Sequence, residues 1–434
     1  MDLSELTALL TPEGLRLLDD LDPVDSAGDV ARTVSRLRKA GHSPELVSAV
    51  VGQARLRVRG RAKFGEFAGR MLFTRAGLEQ ATRLAVAAQH AGRFRDAGID
   101  TVVDLGCGIG GDALGFAGLG LRVEAVDADE VTAAIAAYNL APFGDAVTVR
   151  HGSAEEFAPG AASITGEPAG DAASVTGVPP RDAASVPDQH AGDEASGRSR
   201  GVWLDPARRT SGHSETSRVR PEDYSPPLDW AFELARRVPT GIKIGPGFDR
   251  TMIPDDVEAQ WVSADGSTVE LVLWSGALAR DGVRRAALVM RGDDAWGLTA
   301  AADAPDEPMR DLGAFVHEPD GAVIRARLIG DVARSLEAGM LSDQIAYLTS
   351  DAALTSPFVS SFRVREVLPA EVRALSRALR ERGIGRLEIK KRGVDIDPAA
   401  LRTALKLRGD ESATLILTRI GTKRLAILAD RVVL

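Results

Sequence analysis

Residues 101–112 have the sequence TVVDLGCGIGGD, in which a short apolar run leads to one carboxylate and a cluster of glycines. The β-branched residues before Asp104 predict a buried strand at 101–105, and the residues after Gly111 predict a helix at 112–119. Glycines at alternate positions form a turn without side-chain bulk, so its backbone amides can approach a ligand closely. The stretch therefore predicts a strand, a glycine turn and a helix that together bind a ligand.

A second carboxylate, Asp127, ends the next apolar strand, which is predicted at 122–127. It lies 23 residues after Asp104, close to the separation at which a second-strand carboxylate receives ribose hydroxyls. We therefore expect a nucleoside-containing cofactor, with Asp127 and Ala128 at its ribose.

Two cofactors fit the glycine turn. The dinucleotide fingerprint of an oxidoreductase is matched by Gly106, Gly108 and Gly111. The S-adenosylmethionine pattern is matched by Asp104, Gly106, Gly108 and Gly110. A carboxylate at the start of the turn stabilises a cationic sulfonium cofactor, whereas a pyrophosphate would be repelled. The sequence favours S-adenosylmethionine and leaves the dinucleotide, or a turn without ligand, as alternatives.

Composition limits the class of protein. A chain of 434 residues predicts two or three domains. The single cysteine, Cys107, excludes intramolecular disulfides, and the six histidines show no zinc-ligand spacing. Because Cys107 lies inside the turn, we interpret it as a small residue packed beneath the cofactor and not as a nucleophile. No run reaches the ~18 apolar residues of a membrane span, and no signal peptide is evident, so a cytoplasmic protein without metal is expected.

Positive charge is segregated along this acidic chain. The net charge is −9, yet residues 361–434 contain 17 Lys and Arg against 9 Asp and Glu, a net of +8. A second basic stretch lies at 53–71. Such segregation fits a polyanionic partner, although a solvated helix face would have the same composition. Within the C-terminal segment, the residues expected to contact that partner are Lys390, Lys391 and Arg392.

Hydrophobic periodicity predicts a helical region at 1–90 and an α/β sheet domain at 91–300. Strands alternate with helices, which indicates a parallel sheet covered on both faces. Strands are expected at 101–105, 122–127, 146–150, 201–205 and 241–244, followed by an antiparallel pair at 269–274 and 285–290. Residues 158–200 are rich in Ala, Ser, Gly and Pro, and we expect them to form a disordered insertion.

A smaller α/β domain is expected at 312–434. Its predicted strands are 322–328, 362–367, 386–391, 414–419 and 424–428, and its predicted helices are 330–338, 370–382 and 398–407.

Further site residues follow the third, fourth and fifth strands. The adenine is expected beside Ser153, Ala154 and Glu155, although an acidic surface loop would look the same. Because the carboxyl ends of parallel strands line the crevice of an open sheet, Phe248 after the fifth strand is a candidate wall of the substrate pocket. A core phenylalanine is the alternative.

The fourth strand ends in Asp205-Pro206-Ala207-Arg208-Arg209. We expect Asp205 and Pro206 to accept hydrogen bonds from an exocyclic amine of the acceptor, and Arg208 or Arg209 to contact base or phosphate. Enzymes that methylate base amines often have a second proline and an aromatic residue here, and this chain has Ala207 and Arg208 instead. Stacking on a base is therefore reassigned to Trp203, Tyr224 or Trp230, and a simple strand terminator is the alternative.

Two sets of motifs resemble known families. Residues 102–112, with Val126-Asp127-Ala128-Asp129 and Asn139, resemble class I methyltransferases related to trimethylguanosine synthase, which methylate guanine N2 in RNA. Residues 205–209, 261–263, 269–274 and 318–326 resemble bacterial methyltransferases with a C-terminal THUMP-like domain. The resemblance implies a class I, Rossmann-like sheet of seven strands, an N-terminal helical region and a smaller C-terminal α/β THUMP-like domain.

The resemblance also implies an enzyme that acts on RNA, because THUMP domains present RNA ends to attached modification domains. The expected activity is S-adenosylmethionine-dependent methylation of tRNA or rRNA, with the exocyclic amino group of guanine as candidate acceptor. Methylation of a small molecule or protein, and a non-catalytic module that binds the cofactor or RNA, are the alternatives.

Overall fold

The computed structural model of the protein describes residues 1–157, 199–208 and 223–433. The predicted insertion at 158–200 therefore lies almost entirely outside the described residues. The chain divides into two units, Met1–Ile244 with Leu273–Ala279, and Gly245–Val272 with Arg280–Leu434. The predicted division at 1–90, 91–300 and 312–434 stays a proposal.

Helices fill the N-terminal part of the first unit, as the periodicity predicts. They are α1 (Leu3–Leu9), α2 (Pro12–Asp19), α3 (Ala27–Lys39), α4 (Pro44–Phe64), α5 (Arg75–Gln80) and α6 (Leu84–Asp96). Side-chain oxygens of Thr11 and Ser43 cap α2 and α4, each just before a proline that begins the helix. The capping oxygen accepts one backbone amide of the first turn, and proline has no amide hydrogen that would need a partner. Both helix starts therefore follow from the sequence.

The strands of the first unit form a parallel sheet. They are β1 (Thr101–Leu105), β2 (Arg122–Asp127), β3 (Val147–His151), β4 (Arg200–Leu204) and β7 (Thr240–Ile244), with a short β5–β6 ladder (Ala207–Arg208 and Tyr224–Ser225) between the last two. The helices between strands are α7 (Gly111–Gly118), α8 (Glu130–Leu140), α9 (Ala154–Phe157) and α10 (Leu228–Ala235).

The strand order is β7-β4-β1-β2-β3, and each of these strands pairs in parallel with its neighbour. The chain changes direction across the sheet at β1, which lies between β4 and β2. Such a switch point leaves a crevice at the carboxyl ends of the strands, where open α/β sheets bind ligands.

Four strands of the chain begin in the second unit and precede, in sequence, the strands of that unit's separate sheet. They are β8 (Glu258–Ala264), β9 (Ser267–Trp274), β10 (Arg285–Arg291) and β11 (Asp294–Ala300), in the order β11-β10-β8-β9. A tight turn at Asp265 and Gly266, both with positive φ, joins β8 to β9. The predicted pairing of β9 with β10 is wrong, because β10 pairs in parallel with β8 and antiparallel with β11. Strand β8 escaped prediction since polar residues interrupt its apolar pattern.

A sheet with the strand order β13-β14-β12-β15-β18-β17-β16 completes the second unit. Its strands are β12 (Phe315–Pro319), β13 (Gly339–Ser342), β14 (Ile345–Ser350), β15 (Val359–Leu368), β16 (Ile384–Lys391), β17 (Glu411–Ile420) and β18 (Lys423–Arg431). Its helices are α11 (Gly321–Arg325), α12 (Ile329–Ser335), α13 (Val372–Glu381) and α14 (Pro398–Leu405).

One predicted strand of this sheet, at 322–328, is wrong. The Asp320 side chain accepts the Ala322 amide and caps α11, so this short apolar run is helical. Short apolar runs do not distinguish strand from buried helix. The predicted helices α12, α13 and α14 and strands β15 to β18 are confirmed within a few residues.

Among the helices that the structure describes, none has both the length and the apolar character needed to cross a membrane.

Candidate active site

The glycine turn after β1 has the backbone conformation that its glycines permit. Gly106, Gly108 and Gly110 have φ of +85°, +57° and +87°, a region that L-residues with side chains rarely occupy. The amides of Gly106 and Cys107 both donate to the Val126 carbonyl at 2.9 Å, which joins the turn to β2. A Cβ on Gly106 would lie 3.1 Å from the Asp205 carbonyl oxygen, so the turn also meets the end of β4.

Asp104 is a buried carboxylate with unmet hydrogen-bonding capacity. It is 1% exposed, and neither of its carboxylate oxygens has a hydrogen-bond partner among the described residues. Burial, together with the nearby Asp112 and Asp205 carboxylates, raises the pKa of Asp104 well above its usual value. An ammonium group placed here would supply both the missing donors and a counter-charge. The residues thus fit the amino-acid end of the predicted cofactor.

Asp127 lies at the end of β2, in contact with the glycine turn. Its carboxylate oxygens accept the amides of Gly108 and Asp129, each at 2.9 Å. Burial raises the pKa of Asp127 above its usual value. Apart from its two chain neighbours, no described residue has an atom within 4 Å of the position where a Cβ of Gly108 would stand. A carboxylate retains further acceptor positions after two hydrogen bonds, so Asp127 can still accept ribose hydroxyls.

The residues expected at the adenine lie next to Asp127. The Gly152 amide donates to the Asp127 carbonyl at 3.0 Å, and the His151 ring lies 3.1 Å from the Ala128 carbonyl. These contacts place the start of α9 beside the end of β2. There Ala154 is buried, and Ser153 and Glu155 are half-buried. The structure therefore brings this predicted group together with Asp127, while its role stays a prediction.

Cys107 has the environment of a packed side chain. It is 7% exposed, and its Sγ lies 3.5 Å from the Gly108 carbonyl oxygen. Burial and the negative charges of Asp104 and Asp127 raise the pKa of the thiol well above its usual value. Because the thiolate is the nucleophilic form, this environment agrees with the packing interpretation.

Asp205, the predicted acceptor-side carboxylate, forms an ion pair with Lys243 at the end of β7. The Lys243 Nζ lies 2.5 Å from Asp205 Oδ2, and the side chains are 11% and 35% exposed. Lys243 also donates to Thr82 Oγ1 at 2.9 Å and lies 3.6 Å from Asp112 Oδ2. Pro206 is buried. Asp205 is thus held at the mouth of the crevice by a cation fixed on the neighbouring strand.

A buried polar cluster stands behind this pair. Asp112 accepts a hydrogen bond from Thr82 Oγ1 at 2.7 Å and lies 2.9 Å from His90 Nδ1. Burial alone would raise the pKa of Asp112, but Lys243 and His90 hold it well below its usual value. We define the Lys243 cluster as Thr82, His90, Asp112, Asp205 and Lys243.

Sequence reasoning missed all of this cluster except Asp205. One signal was available, since Lys243 is the single charged residue in the β7 sequence TGIKI. A lone charge in a buried strand requires partners. The other members come from α6, α7 and the loop before α6, where nothing in their spacing relates them.

The Asn139 side chain links the N-terminal helical region to the glycine turn. Its amide nitrogen donates to the carbonyls of Leu72 and Ile109 at 3.0 and 2.9 Å, and its oxygen accepts the Leu72 amide at 2.8 Å. All three contacts are buried. The resemblance included Asn139, and the structure supplies a physical role for it.

The residues predicted to contact the acceptor are only partly described. Arg209 lies outside the described residues, and Arg208 pairs through its backbone with Tyr224 in the β5–β6 ladder. Trp203 is fully buried, with its ring 4.4 Å from the His90 ring and 5.7 Å from the Trp274 ring. The suggestion that Trp203 stacks on a base is therefore wrong. Tyr224 is 2% exposed, and Trp230 is half-buried.

Phe248 and the predicted contacts near residue 390 belong to the second unit. Phe248 is half-buried, and its amide donates to the Gly245 carbonyl at 3.1 Å. Lys390 lies 2.6 Å from Glu318, and Arg392 lies 3.7 Å from the same carboxylate. Lys391 is exposed. Internal ion pairs thus occupy two of the three cations expected to bind a polyanion.

The basic stretch at 53–71 is also partly structural. Arg57 is buried and pairs with Asp19 at 2.8 Å, and Lys63 donates to the carbonyls of Glu79 and Ala81. Its remaining cations are exposed, namely Arg55, Arg59, Arg61 and Arg70. Across the described residues, no group of three or more His, Cys, Asp or Glu side chains is arranged to hold a metal ion.

Two family models match parts of this chain. Residues 359–431 match a model described as THUMP domain-like. Residues 2–60 match a domain of unknown function, DUF8688.

Similar proteins cover nearly the whole chain. An uncharacterized S-adenosylmethionine-dependent methyltransferase of Mycobacterium tuberculosis, from strains CDC 1551 and H37Rv, is 31% identical over 400 residues. The match covers 90% of this chain and 97% of the relative. The crystal structure of a candidate methyltransferase from Porphyromonas gingivalis W83 has a TM-score of 0.67 at 20% identity, covering 95% of this chain and 100% of that one. These matches confirm the predicted fold class, including the helical N-terminus and the THUMP-like C-terminal domain.

Proposed function

This chain belongs to the family of S-adenosylmethionine-dependent methyltransferases, and we propose that RNA is the substrate it methylates. Family membership establishes the enzyme class and S-adenosylmethionine as cofactor, which resolves the choice left open by the glycine turn. When bound, the cofactor supplies an electrophilic methyl group on a sulfonium centre.

The proposed cofactor contacts follow from the carboxylate oxygens of the site that can still accept hydrogen bonds. Asp104 would hold the ammonium group, because its buried oxygens have no partner among the described residues. Asp127 would hold the ribose hydroxyls through its remaining acceptor positions. The Gly106–Gly110 turn and Ser153–Glu155 would line the rest. Each assignment predicts loss of cofactor affinity when its residue is replaced.

Asp205 is the proposed acceptor-binding residue. Its carboxylate is 35% exposed at the end of β4, beside Gly106, so it can reach an incoming acceptor. The Lys243 ammonium lies 2.5 Å from this carboxylate and holds it in place. A carboxylate offers several acceptor positions, so Asp205 can receive an N–H of an amine and orient the nitrogen lone pair.

The exocyclic amino group of a guanine is the acceptor that we propose within RNA. The Asp205-Pro206 sequence matches the acidic and proline positions expected of base-amine methyltransferases, and the motifs at 102–112 and 126–129 resemble the trimethylguanosine synthase group. Ala207 and Arg208 stand where those enzymes have a second proline and an aromatic residue. We therefore assign the contact with the base to Arg208 or Arg209.

One observation carries the proposal that the substrate is RNA, namely the THUMP domain-like match at residues 359–431. The charge of the chain supports it, because residues 361–434 have a net charge of +8 on a chain of −9. A positive segment on an acidic protein favours phosphate contacts over contacts with a neutral metabolite.

The test is methyl transfer to RNA from cells that lack this protein. The purified chain is incubated with radiolabelled S-adenosylmethionine and that RNA, which is then digested to nucleosides and separated. We expect label in a methylated guanosine, and about 100-fold less of it with Asp205→Ala, which should still bind the cofactor. Label in a protein or metabolite fraction, with none in RNA, would instead support the alternative substrate classes.

A cytoplasmic location stays a prediction, as does the choice between tRNA and rRNA.

A further inference from the structure

The sheet of the second unit carries two hydrophobic clusters with different cations around them. One cluster packs under α13 and α14 and includes Leu375, Leu379, Leu401 and Leu405. The other includes Val316, Tyr347 and Phe362. Strand residues alternate between the two faces of a sheet, and the clusters contain alternate residues of β17 and β18. The helices therefore cover one face, and the second cluster lies on the other.

Cations near the second cluster are held by internal partners. Lys390 and Arg431 lie over the Phe362 ring, and Arg392 lies over the Tyr347 ring. Lys390 also pairs with Glu318 at 2.6 Å, and Arg431 pairs with Glu388 at 2.7 Å. These charges are neutralised within the fold, so they contribute little to the attraction of a polyanion.

Cations on the helix side are exposed and are not neutralised in this way. Among the described residues, none of them forms an ion pair within 4 Å. They are Arg373, Arg377 and Arg380 of α13, and Arg402, Lys406 and Arg408 at α14 and the segment after it. We call this set the basic helix surface. The acids at the helix starts, Glu371 and Asp397, accept the first backbone amides of their helices, and Glu371 also interacts electrostatically with Arg373 and Arg377.

Helix geometry gathers these cations. At 100° per residue, the three arginines of α13 fall within a sector of about 60°, and Leu375 and Leu379 point the other way into the core. The Ser376 hydroxyl donates to the Leu405 carbonyl at 2.6 Å, which holds the end of α14 against the middle of α13. The three arginines of α13 therefore project from one side of the helix, with the end of α14 held against it, whereas Arg402 also lines a pocket with Arg386 and Arg431.

We propose that the basic helix surface is where this enzyme binds the phosphate backbone of its RNA. The inference rests on the proposed function and names the RNA-contacting surface within it. Five of its six cations are arginines, whose planar guanidinium groups bind phosphate oxygens in pairs. The RNA contact is therefore no longer assigned to Lys390 and Arg392, which form ion pairs that the sequence did not reveal.

The test compares two triple variants of the full chain that lose the same charge. One removes helix cations (Arg373→Ala, Arg377→Ala and Arg380→Ala). The matched control removes arginines that form internal ion pairs (Arg365→Ala, Arg382→Ala and Arg431→Ala). Binding of fluorescein-labelled bulk tRNA is measured by anisotropy between 50 and 200 mM salt, with polyglutamate as a competing polyanion and thermal melting as a check on folding.

We expect the helix triple to bind about tenfold more weakly at 100 mM salt, with a salt slope reduced by about 2, since each lost phosphate contact removes about 0.7–0.9 of slope. The control should stay within about twofold of the unmodified chain. Equal effects of the two triples would overturn the proposal, because they would reflect only total charge. Displacement of tRNA by polyglutamate at equal charge would also overturn it and indicate an acidic protein partner.

The methyl-transfer assay separates this proposal from the proposed function. RNA methylation by the unmodified chain, with tRNA binding unchanged in the helix triple, would leave the function standing and remove only this surface. An unmodified chain that neither binds nor methylates RNA would overturn both.

Discussion

The Lys243 ammonium lies 2.5 Å from the Asp205 carboxylate and 3.6 Å from that of Asp112. One buried cation thus compensates two carboxylates in a region that also contains Asp104. The arrangement places a cation beside Asp205 at the mouth of the crevice, and it makes the stability of the first unit sensitive to one strand residue.

Replacing Lys243 should destabilise the first unit strongly. Lys243→Met removes the cation shared by Asp112 and Asp205, and loss of one partner from a buried ion pair costs about 3 kcal/mol. Lys243→Arg keeps the charge and should recover part of this loss. The free energy of unfolding from urea titration measures both effects.

The pH dependence gives an internal control for the Lys243 variants. The folded-state pKa of Asp112 is depressed, so its contribution to stability is present above about pH 4 and is lost as pH falls below that. The difference between Lys243→Met and the unmodified chain should therefore be complete between about pH 5 and pH 7 and shrink as pH falls below about 4. A difference that is the same at about pH 3 and pH 7 would contradict the electrostatic explanation.

Asp104→Asn should stabilise the protein and weaken cofactor binding. Burial raises the folded-state pKa of Asp104, so ionising it at neutral pH opposes folding, and this cost is absent below about pH 4. A neutral amide removes that cost, and we expect a gain of about 1 kcal/mol at pH 7. Loss of the carboxylate should weaken S-adenosylmethionine binding by about 10- to 100-fold, as measured by calorimetry. Unchanged affinity would contradict the ammonium contact.

Two glycines of the turn should respond differently to alanine. Both Gly108 and Gly110 have positive φ, so either substitution introduces strain of about 1 kcal/mol. A Cβ on Gly110 would also lie 3.1 Å from Leu140, whereas a Cβ on Gly108 would enter open space. Gly110→Ala should therefore lower the melting temperature more, and Gly108→Ala should weaken cofactor binding more relative to its effect on stability. The same rank order in both measurements would argue against a cofactor cradle at Gly108.

His317 should make the second unit sensitive to acid. It is fully buried between the hydroxyls of Ser361 and Ser350, at 2.8 and 2.9 Å, and burial lowers its pKa to about 4. Because the unfolded histidine titrates near 6.5, its contribution is complete above about pH 6.5 and is lost as pH falls toward 4. The loss should reach about 3 kcal/mol. Circular-dichroism melts between pH 4 and 7 would show it, and His317→Gln should reduce that dependence.

The first strands of the chain were predictable because their signals are local. Runs of β-branched residues predict β1 and β2. The turn between β1 and α7 follows from glycines, because its positive φ values exclude most other residues. β8, β11 and β12–β14 were not predicted, because polar residues interrupt the apolar pattern of β8 and because β13 and β14 are short strands joined by a two-residue turn. The strand predicted at α11 is wrong for another local reason, since the Asp320 side chain caps a helix at an apolar run that also fits a strand.

By itself, the sequence determined the glycine turn, its two flanking carboxylates and the residue type that ends β4, because these depend on backbone conformation and on neighbours within a few residues. Only the tertiary structure decided that Lys243 neutralises Asp205, and that the strand cations near residue 390 are paired while those of α13 and α14 are exposed. Ion pairing depends on distances between elements far apart in the chain, and charge composition carries no information about those distances.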